Sequence, residues 1–317
     1  MTYTELQFTS AGTICSAWHF VGTDSALTGP AGRPAVVMGH GFGGTKDSGL
    51  LPFAEALGVA GLDVLAFDYR GFGASEGEPR QQISIDRQVA DYEAAVTAAK
   101  RLPGVDPDRI VLWGSSLSGG HVIRVAAGRD DIAAVIAMTP LTDSLATGRQ
   151  VIAQYDVLTA LRSTANGVRS RLAVARGKAP IMMPVVSLPG EAGALSLDGA
   201  YESYLSMAGP TWRNEIDSTV GLELAMIKTK AYAKALRAKL LVQIADFDRF
   251  VPADSVAKTA VHGRGQVHRY PCDHFDVWPG HDWFEKAAAD QVAFLTRTLT
   301  VPAPAVTPTP TPAPASA

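Results

Sequence analysis

Ile110-Val111-Leu112-Trp113-Gly114-Ser115-Ser116-Leu117-Ser118-Gly119-Gly120 is the stretch that decides how this chain folds. A run of β-favouring apolar residues predicts a buried strand that passes through a tight turn straight into a helix. A reactive serine at such a turn needs small residues two before and two after it, because the turn brings those backbones together. For Ser116 the flanks are Gly114 and Ser118; for Ser115 they would be Trp113 and Leu117, which do not fit. Ser118 itself would lie half a turn inside the helix. Ser116 is therefore the candidate nucleophile, with one departure from the G-x-S-x-G pattern, Ser118 in place of the last glycine. Standing alone, the string also fits an ordinary capped helix start.

Around this unit, short Val/Ile-rich runs alternate with amphipathic stretches, the signature of βαβ units and a mostly parallel sheet. Strands are expected at 5–9 and 14–20, an antiparallel pair turning at Ser10-Ala11-Gly12. Buried strands follow at 35–39, 64–68, 110–114, 134–138, 240–245 and 266–270, eight in all. Helices are expected at 85–100, from the apolar spacing of Ile85, Val89, Tyr92 and Val96, and at 282–299. Between Met138 and Leu240 lie about 100 residues without a convincing buried strand, too long for a structureless loop. Helical patterns near 148–160 and 222–236 flank a Pro- and Gly-punctuated middle at 180–193, so this interval reads as a mainly helical cap inserted into the sheet domain. The expected organisation is a catalytic domain over 1–140 and 239–300, a cap over 141–238, and a Pro/Thr/Ala tail over 301–317. That tail carries six prolines and no charge, and is expected to be disordered.

A serine hydroxyl needs a base, and the base needs an orienting acid. Leu240–Ala245 runs into Asp246-Phe247-Asp248-Arg249-Phe250-Val251-Pro252, and Gln266–Tyr270 into Pro271-Cys272-Asp273-His274-Phe275. Asp248, beyond the strand end, is preferred as the acid over Asp246, which can cap the turn, and over Asp143 after the preceding strand. His274 is preferred as the base over His268, mid-strand, and His281, at the start of the last helix. Donors for a developing oxyanion are expected from the backbone N–H of Leu117 and from the loop His40-Gly41-Phe42-Gly43-Gly44, at the N–H of Phe42. His40 is expected to brace that loop. No Gly-Lys-Ser/Thr follows these glycines, so they do not read as a phosphate cradle.

With these blocks in order, and with Asp68-Tyr69-Arg70-Gly71-Phe72-Gly73-Ala74-Ser75 read as a structural turn between them, residues 34–298 resemble the α/β-hydrolase superfamily. The likeness is nearest to capped bacterial esterases and to the serine aminopeptidase and Xaa-Pro peptidase-like branches. It implies an α/β-hydrolase fold and a Ser116–Asp248–His274 triad, and leaves the substrate open. A carboxylic ester or lactone hydrolase working through an acyl-enzyme on Ser116 is the leading expectation. A peptidase or amidase would need a carboxylate in the cap to hold an N-terminus; Glu191, Asp198, Glu202, Glu215 and Asp217 are the candidates, though solvated surface is the simpler reading of each. Thioester and carbon–carbon hydrolysis, and a non-catalytic binding module, are further alternatives. Met182, Met183, Tyr201, Tyr204, Met207 and Trp212 suggest an apolar roof and hence a hydrophobic, medium-to-large acyl or alcohol group.

Composition excludes several classes. The net charge of −3, with no basic stripe, argues against nucleic acid. No apolar run reaches the length of a membrane span, and the N-terminus lacks a basic start followed by an apolar stretch. Cys15 and Cys272, far apart and without metal-like spacing, read as reduced thiols of a cytoplasmic protein. No metal or organic cofactor is expected, and the expected partner is a small ester or lactone. Composition leaves a homo-oligomer open.

Overall fold

The computed structural model describes residues 1–154 and 157–300, with the backbone alone at 151 and 157–160. The tail over 301–317 lies outside the described residues, as does part of the helix expected at 148–160. The main sheet is built from β1 (Thr4–Ser10), β2 (Thr13–Phe20), β3 (Arg33–Gly39), β4 (Asp63–Phe67), β5 (Val105–Ser115) and β6 (Ile132–Met138). Between β6 and β9 (Lys239–Ala245) comes a two-residue pair, β7 (Met182–Met183) and β8 (Ile216–Asp217); β10 (Gln266–Tyr270) completes the main sheet. Its eight strands run in the order β1-β2-β4-β3-β5-β6-β9-β10. All are parallel except β2, which runs antiparallel to both its neighbours. The central strands are buried on both faces, which is why their sequences are continuous apolar runs rather than alternating ones.

The described residues also form helices. They are α1 (Leu51–Val59), α2 (Ile85–Ala99), α3 (Leu117–Ala126), then α4 (Ser144–Gln154), α5 (Val157–Ala175), α6 (Ala200–Met207), α7 (Val220–Leu224) and α8 (Lys230–Lys234), and finally α9 (Ala253–His262) and α10 (Phe284–Leu299). Helix α1 packs on α10, with Phe53 against Trp113 and Phe284, while α2 packs on α3 and sends the Tyr92 hydroxyl to the Trp113 carbonyl. The segment between β6 and β9 holds α4–α8 and the β7·β8 pair, a small sheet the sequence pattern did not suggest.

Register places the site. Gly39 pairs with Gly114, Ser115 with Met138, Met138 with Gln243 and Ala245 with Tyr270, so the carboxyl ends of β3, β5, β6, β9 and β10 finish at one edge. After β3 the chain crosses to β4 on one side, and after β5 it crosses to β6 on the other. The crevice between the ends of β3 and β5 is therefore a topological switch point, where open α/β sheets bind their ligands.

Candidate active site

Ser116 stands between β5 and α3 with φ 52° and ψ −117°, a conformation that costs a non-glycine residue of order 1–3 kcal/mol. It persists because both its backbone groups are committed. Its N–H donates to Met138 O at 2.9 Å, and its carbonyl accepts from Leu141 N at 2.8 Å and Gly120 N at 3.3 Å. A Cβ at Gly114 would lie 2.3 Å from the Ser118 carbonyl, so the small-residue rule read from the sequence is a literal contact. The departure at Ser118 also has a reason. Its hydroxyl accepts from Ser115 N at 2.9 Å and lies 2.9 Å from both the Gly39 and Ser115 carbonyls, so it ties the turn to the end of β3.

His274, buried beyond β10, donates Nδ1–H to Asp248 Oδ2 at 2.6 Å. This fixes the tautomer and leaves Nε2 free to accept a proton. The other Asp248 oxygen accepts Phe250 N at 2.8 Å and Val251 N at 2.7 Å, which holds the carboxylate in its turn. Burial pulls the His274 pKa down, and the Asp248 charge and hydrogen bond, helped by Asp273, more than reverse it, for a net upward shift. Ser116 and His274 line one cavity, with no hydrogen bond between them among the described residues. Hydrogen bonds of this kind often tighten only when substrate is bound.

The competing residues have other work. Asp246 pairs with Arg269 on the neighbouring strand at 2.7 Å rather than capping the turn, and Asp143 accepts Leu145 N and Ala146 N at the start of α4. His268 pairs with Asp290 at 2.9 Å, and His281 faces Asp276 at 3.8 Å. Cys272 is buried, and that burial, followed by nearby Asp276 and Asp273, pushes its thiol to about 12, so it is inert as a nucleophile. Asp273 carries a role the sequence did not signal. It accepts Arg249 N at 2.9 Å, Arg249 Nε at 2.5 Å and His274 N at 2.8 Å, clipping the acid turn to the base turn.

The Leu117 N–H opens α3, where helical amides have no intrahelical partner, and Leu117 also lines a second cavity together with His121 and Tyr232. Phe42 lines the Ser116 cavity together with His40, Gly41 and Gly44. His40 is buried and its pKa is pulled down by that burial against the opposing pull of Asp68, so the ring is neutral and cannot pair as a cation. The structural-turn reading of 68–75 also holds. The buried Asp68 carboxylate accepts Lys46 N, Lys46 Nζ and Ala74 N at 2.6, 2.7 and 3.0 Å. The cavity measures about 30 Å³ and opens to solvent. Of the roof residues expected from sequence, Tyr204 and Met207 line it.

The family model described as serine aminopeptidase, S33 matches residues 30–271. This chain belongs to the S33 family of α/β hydrolases. It is 31% identical over 296 residues to the quorum-quenching protein AidA of Acinetobacter baumannii, covering 92% of this chain and 94% of that one. It is 35% identical over 162 residues to the thiohydrolase aneE of Aspergillus aculeatus, about half of each chain. Among solved structures, the α/β hydrolase GrgF of a Penicillium species superposes with a TM-score of 0.77 at 23% identity, over 95% of this chain and 100% of that one. Among the carboxylates weighed for an S33 aminopeptidase anchor, Asp217 is fully buried, not solvated. It accepts Ser170 Oγ at 2.6 Å, Gln82 Nε2 at 2.8 Å and Thr219 N at 3.0 Å. Glu191, Asp198 and Glu202 are exposed, Glu215 pairs with Arg213, and none of the five lines the Ser116 cavity. No helix among the described residues of this S33 hydrolase is long and apolar enough to cross a membrane.

Proposed function

We propose that this hydrolase cleaves carboxylic esters or lactones through an acyl-enzyme on Ser116. The observation that carries the reading is the strained Ser116 turn sharing one cavity with an imidazole whose far nitrogen is held by Asp248. His274 Nε2 takes the Ser116 proton as Oγ attacks the carbonyl carbon. The N–H groups of Leu117 and Phe42 receive the negative oxygen of the tetrahedral intermediate. Collapse expels the alcohol, or opens the lactone, with the proton returned by His274, and a water activated by the same imidazole then releases the acid. Residues 141–238 act as a cap over the catalytic domain formed by 1–140 and 239–300. The buried, unpaired Cys15 and Cys272 fit a cytoplasmic protein.

The family description favours a second reading, removal of an N-terminal residue from a peptide. Against it stands the chemistry of the cavity, whose lining among the described residues has no carboxylate to hold a free ammonium. The lining is instead mostly apolar, through Phe42, Leu195, Met207, Phe275 and Trp278, which favours an apolar group beside Ser116. Likeness to a quorum-quenching protein and to a thiohydrolase adds quorum signals to the candidates and supports keeping thioesters among them.

The test is a fluorophosphonate probe followed by a substrate panel. Wild-type protein is expected to be labelled stoichiometrically, and Ser116→Ala not at all. 4-Nitrophenyl acetate and butyrate, a thioester, a lactone and aminoacyl 4-nitroanilides then separate the readings. Folded wild type that resists labelling removes the serine mechanism, and anilides outrunning acetate would move the activity to peptides.

A further inference from the structure

Three consecutive carbonyls in the loop after β3 each accept a hydrogen bond from a ring. Gly41 O lies 3.0 Å from His40 Nδ1, Phe42 O accepts from Tyr204 Oη at 2.6 Å, and Gly43 O accepts from Trp212 Nε1 at 3.0 Å. A carbonyl can only accept, so His40 carries its proton on Nδ1. Across a trans peptide the C=O and the next N–H point in opposite directions, so holding these oxygens aims the N–H groups of Phe42, Gly43 and Gly44. The loop needs such restraint. It contains three glycines, and glycine adopts opposite backbone orientations at little cost. A turned peptide plane would offer a carbonyl where an oxyanion needs a donor.

The origin of the three rings is uneven. His40 follows β3, but Tyr204 lies on α6 and Trp212 just beyond it, both in the segment between β6 and β9. Tyr204 is buried, its ring is 5.2 Å from Trp212, and it meets Phe275, the neighbour of His274, edge-on at 6.0 Å. The same segment closes on the loop elsewhere. Thr211 donates its N–H and hydroxyl to Asp47 at 3.0 and 2.7 Å, and a Cβ at Gly43, where φ is +62°, would lie 2.9 Å from the Val185 methyls. The Tyr204 proton is committed to a carbonyl and burial keeps the phenol protonated, so this hydroxyl is no acid or base of the reaction.

We infer that Tyr204 and Trp212 are positioning residues for the oxyanion loop, so that seating the 141–238 segment and assembling the oxyanion site are a single event. The inference rests on the serine-hydrolase reading, in which the Phe42 N–H receives the oxyanion: His40 sets that N–H directly through Gly41 O, which also accepts Gly44 N at 3.4 Å, while Tyr204 and Trp212 lock the next two peptide planes and so hold Phe42 from its other side. It turns residues expected to roof a pocket into part of the apparatus that sets backbone geometry at the reacting carbonyl.

Tyr204→Phe keeps the ring and Trp212→Phe an aromatic side chain, each removing its donor, and the two variants guard against a single failure to fold. Each is measured for fluorophosphonate labelling, for kcat and KM on 4-nitrophenyl acetate, and for inhibition by a short trifluoromethyl ketone and by the alcohol of the same carbon skeleton. The ketone forms an oxyanion on Ser116; the alcohol only fills the cavity. Loosening a donor should cost less than deleting one, so kcat is expected to fall about tenfold, and the ketone to weaken by a similar factor. KM and the alcohol's inhibition are expected to change by less than about twofold. Unchanged kcat and ketone inhibition in both variants overturns the inference, as does a parallel loss of ketone and alcohol binding, which would mean a reshaped cavity. Unlabelled wild type would instead sink the serine mechanism, and this inference with it.

Discussion

The chemistry at residue scale depends on how two carboxylates near one strand end differ. Asp248 reaches His274 at 2.6 Å, whereas Asp246 is spent on Arg269. Because the net effect on His274 is upward, the imidazole is neutral, and able to act as a base, only above a pKa higher than the usual histidine value. Activity is therefore present above that pKa and lost as pH falls through it. The acidic limb of kcat/KM for 4-nitrophenyl acetate is expected above pH 6.5. Asp248→Asn removes the charge that raises the pKa and leaves the burial that lowers it, so the limb should move to lower pH. The same change should cut kcat by about 10³–10⁴, because an amide can hold the wrong tautomer. Asp246→Asn is expected to leave both the limb and kcat unchanged. If the two variants traded places in a pH–rate titration, the acid would have been assigned to the wrong residue.

At the scale of elements, the turn between β5 and α3 is where sequence pattern and packing meet most closely. The hydroxyl of Ser118 replaces a hydrogen atom in the usual pattern, yet it is buried and bonded to the Ser115 N–H. Restoring the common glycine by Ser118→Gly should therefore destabilise the protein. It strands a buried N–H, at about 1–3 kcal/mol, and adds a glycine to a helix, at about 0.5–1 kcal/mol. The urea midpoint is expected to fall with the slope unchanged; a midpoint at or above wild type would mean the hydroxyl bonds carry no net stability. The positions of all eight strands of the main sheet were legible, the six from β2 to β9 because their mostly buried residues must be apolar; β10, expected to be buried, is instead mostly exposed at the edge of the sheet, as is β1. The inserted helices were less so. One helix over 222–236 is instead two, α7 and α8, because Thr229 sends both its N–H and its hydroxyl to Thr142 O, at 3.1 and 2.7 Å, and this pulls the chain off the helical path. Nothing local in residues 222–236 announces a partner so far back in the chain.

For the whole molecule the same distinction separates what could be read from what could not. Ser116, Asp248 and His274 could be proposed from sequence because each follows a strand end, and the register of a parallel sheet brings such ends together. Tyr204 and Trp212 were legible only as large apolar side chains, since their bonds to Phe42 and Gly43 cross from one end of the fold to another with no spacing rule to betray them. Buried titratable groups raise a related matter, because their cost is felt by the fold as a whole. His121 on α3 is buried, pairs through Nε2 with Gln88 of α2 at 2.9 Å, and has its pKa lowered to about 3, by burial first and then by Arg124 and His40. The folded protein thus keeps this ring neutral where the unfolded chain, titrating near 6.5, takes up a proton. The unfolded state binds more protons between those two values, so the sign is fixed: stability falls as pH drops from about 6.5 toward about 3, by on the order of 1 kcal/mol per unit. Neutral His40 adds to the same slope. In His121→Gln, which retains a donor toward Gln88 and cannot titrate, unfolding free energy from urea melts at pH 7, 6, 5 and 4 should decline less steeply than in wild type. The gap between the two proteins should narrow with each step toward acid. Parallel curves would show that His121 is protonated in the folded state at no extra cost, and that its burial between α2 and α3 does not govern the acid limit of the fold.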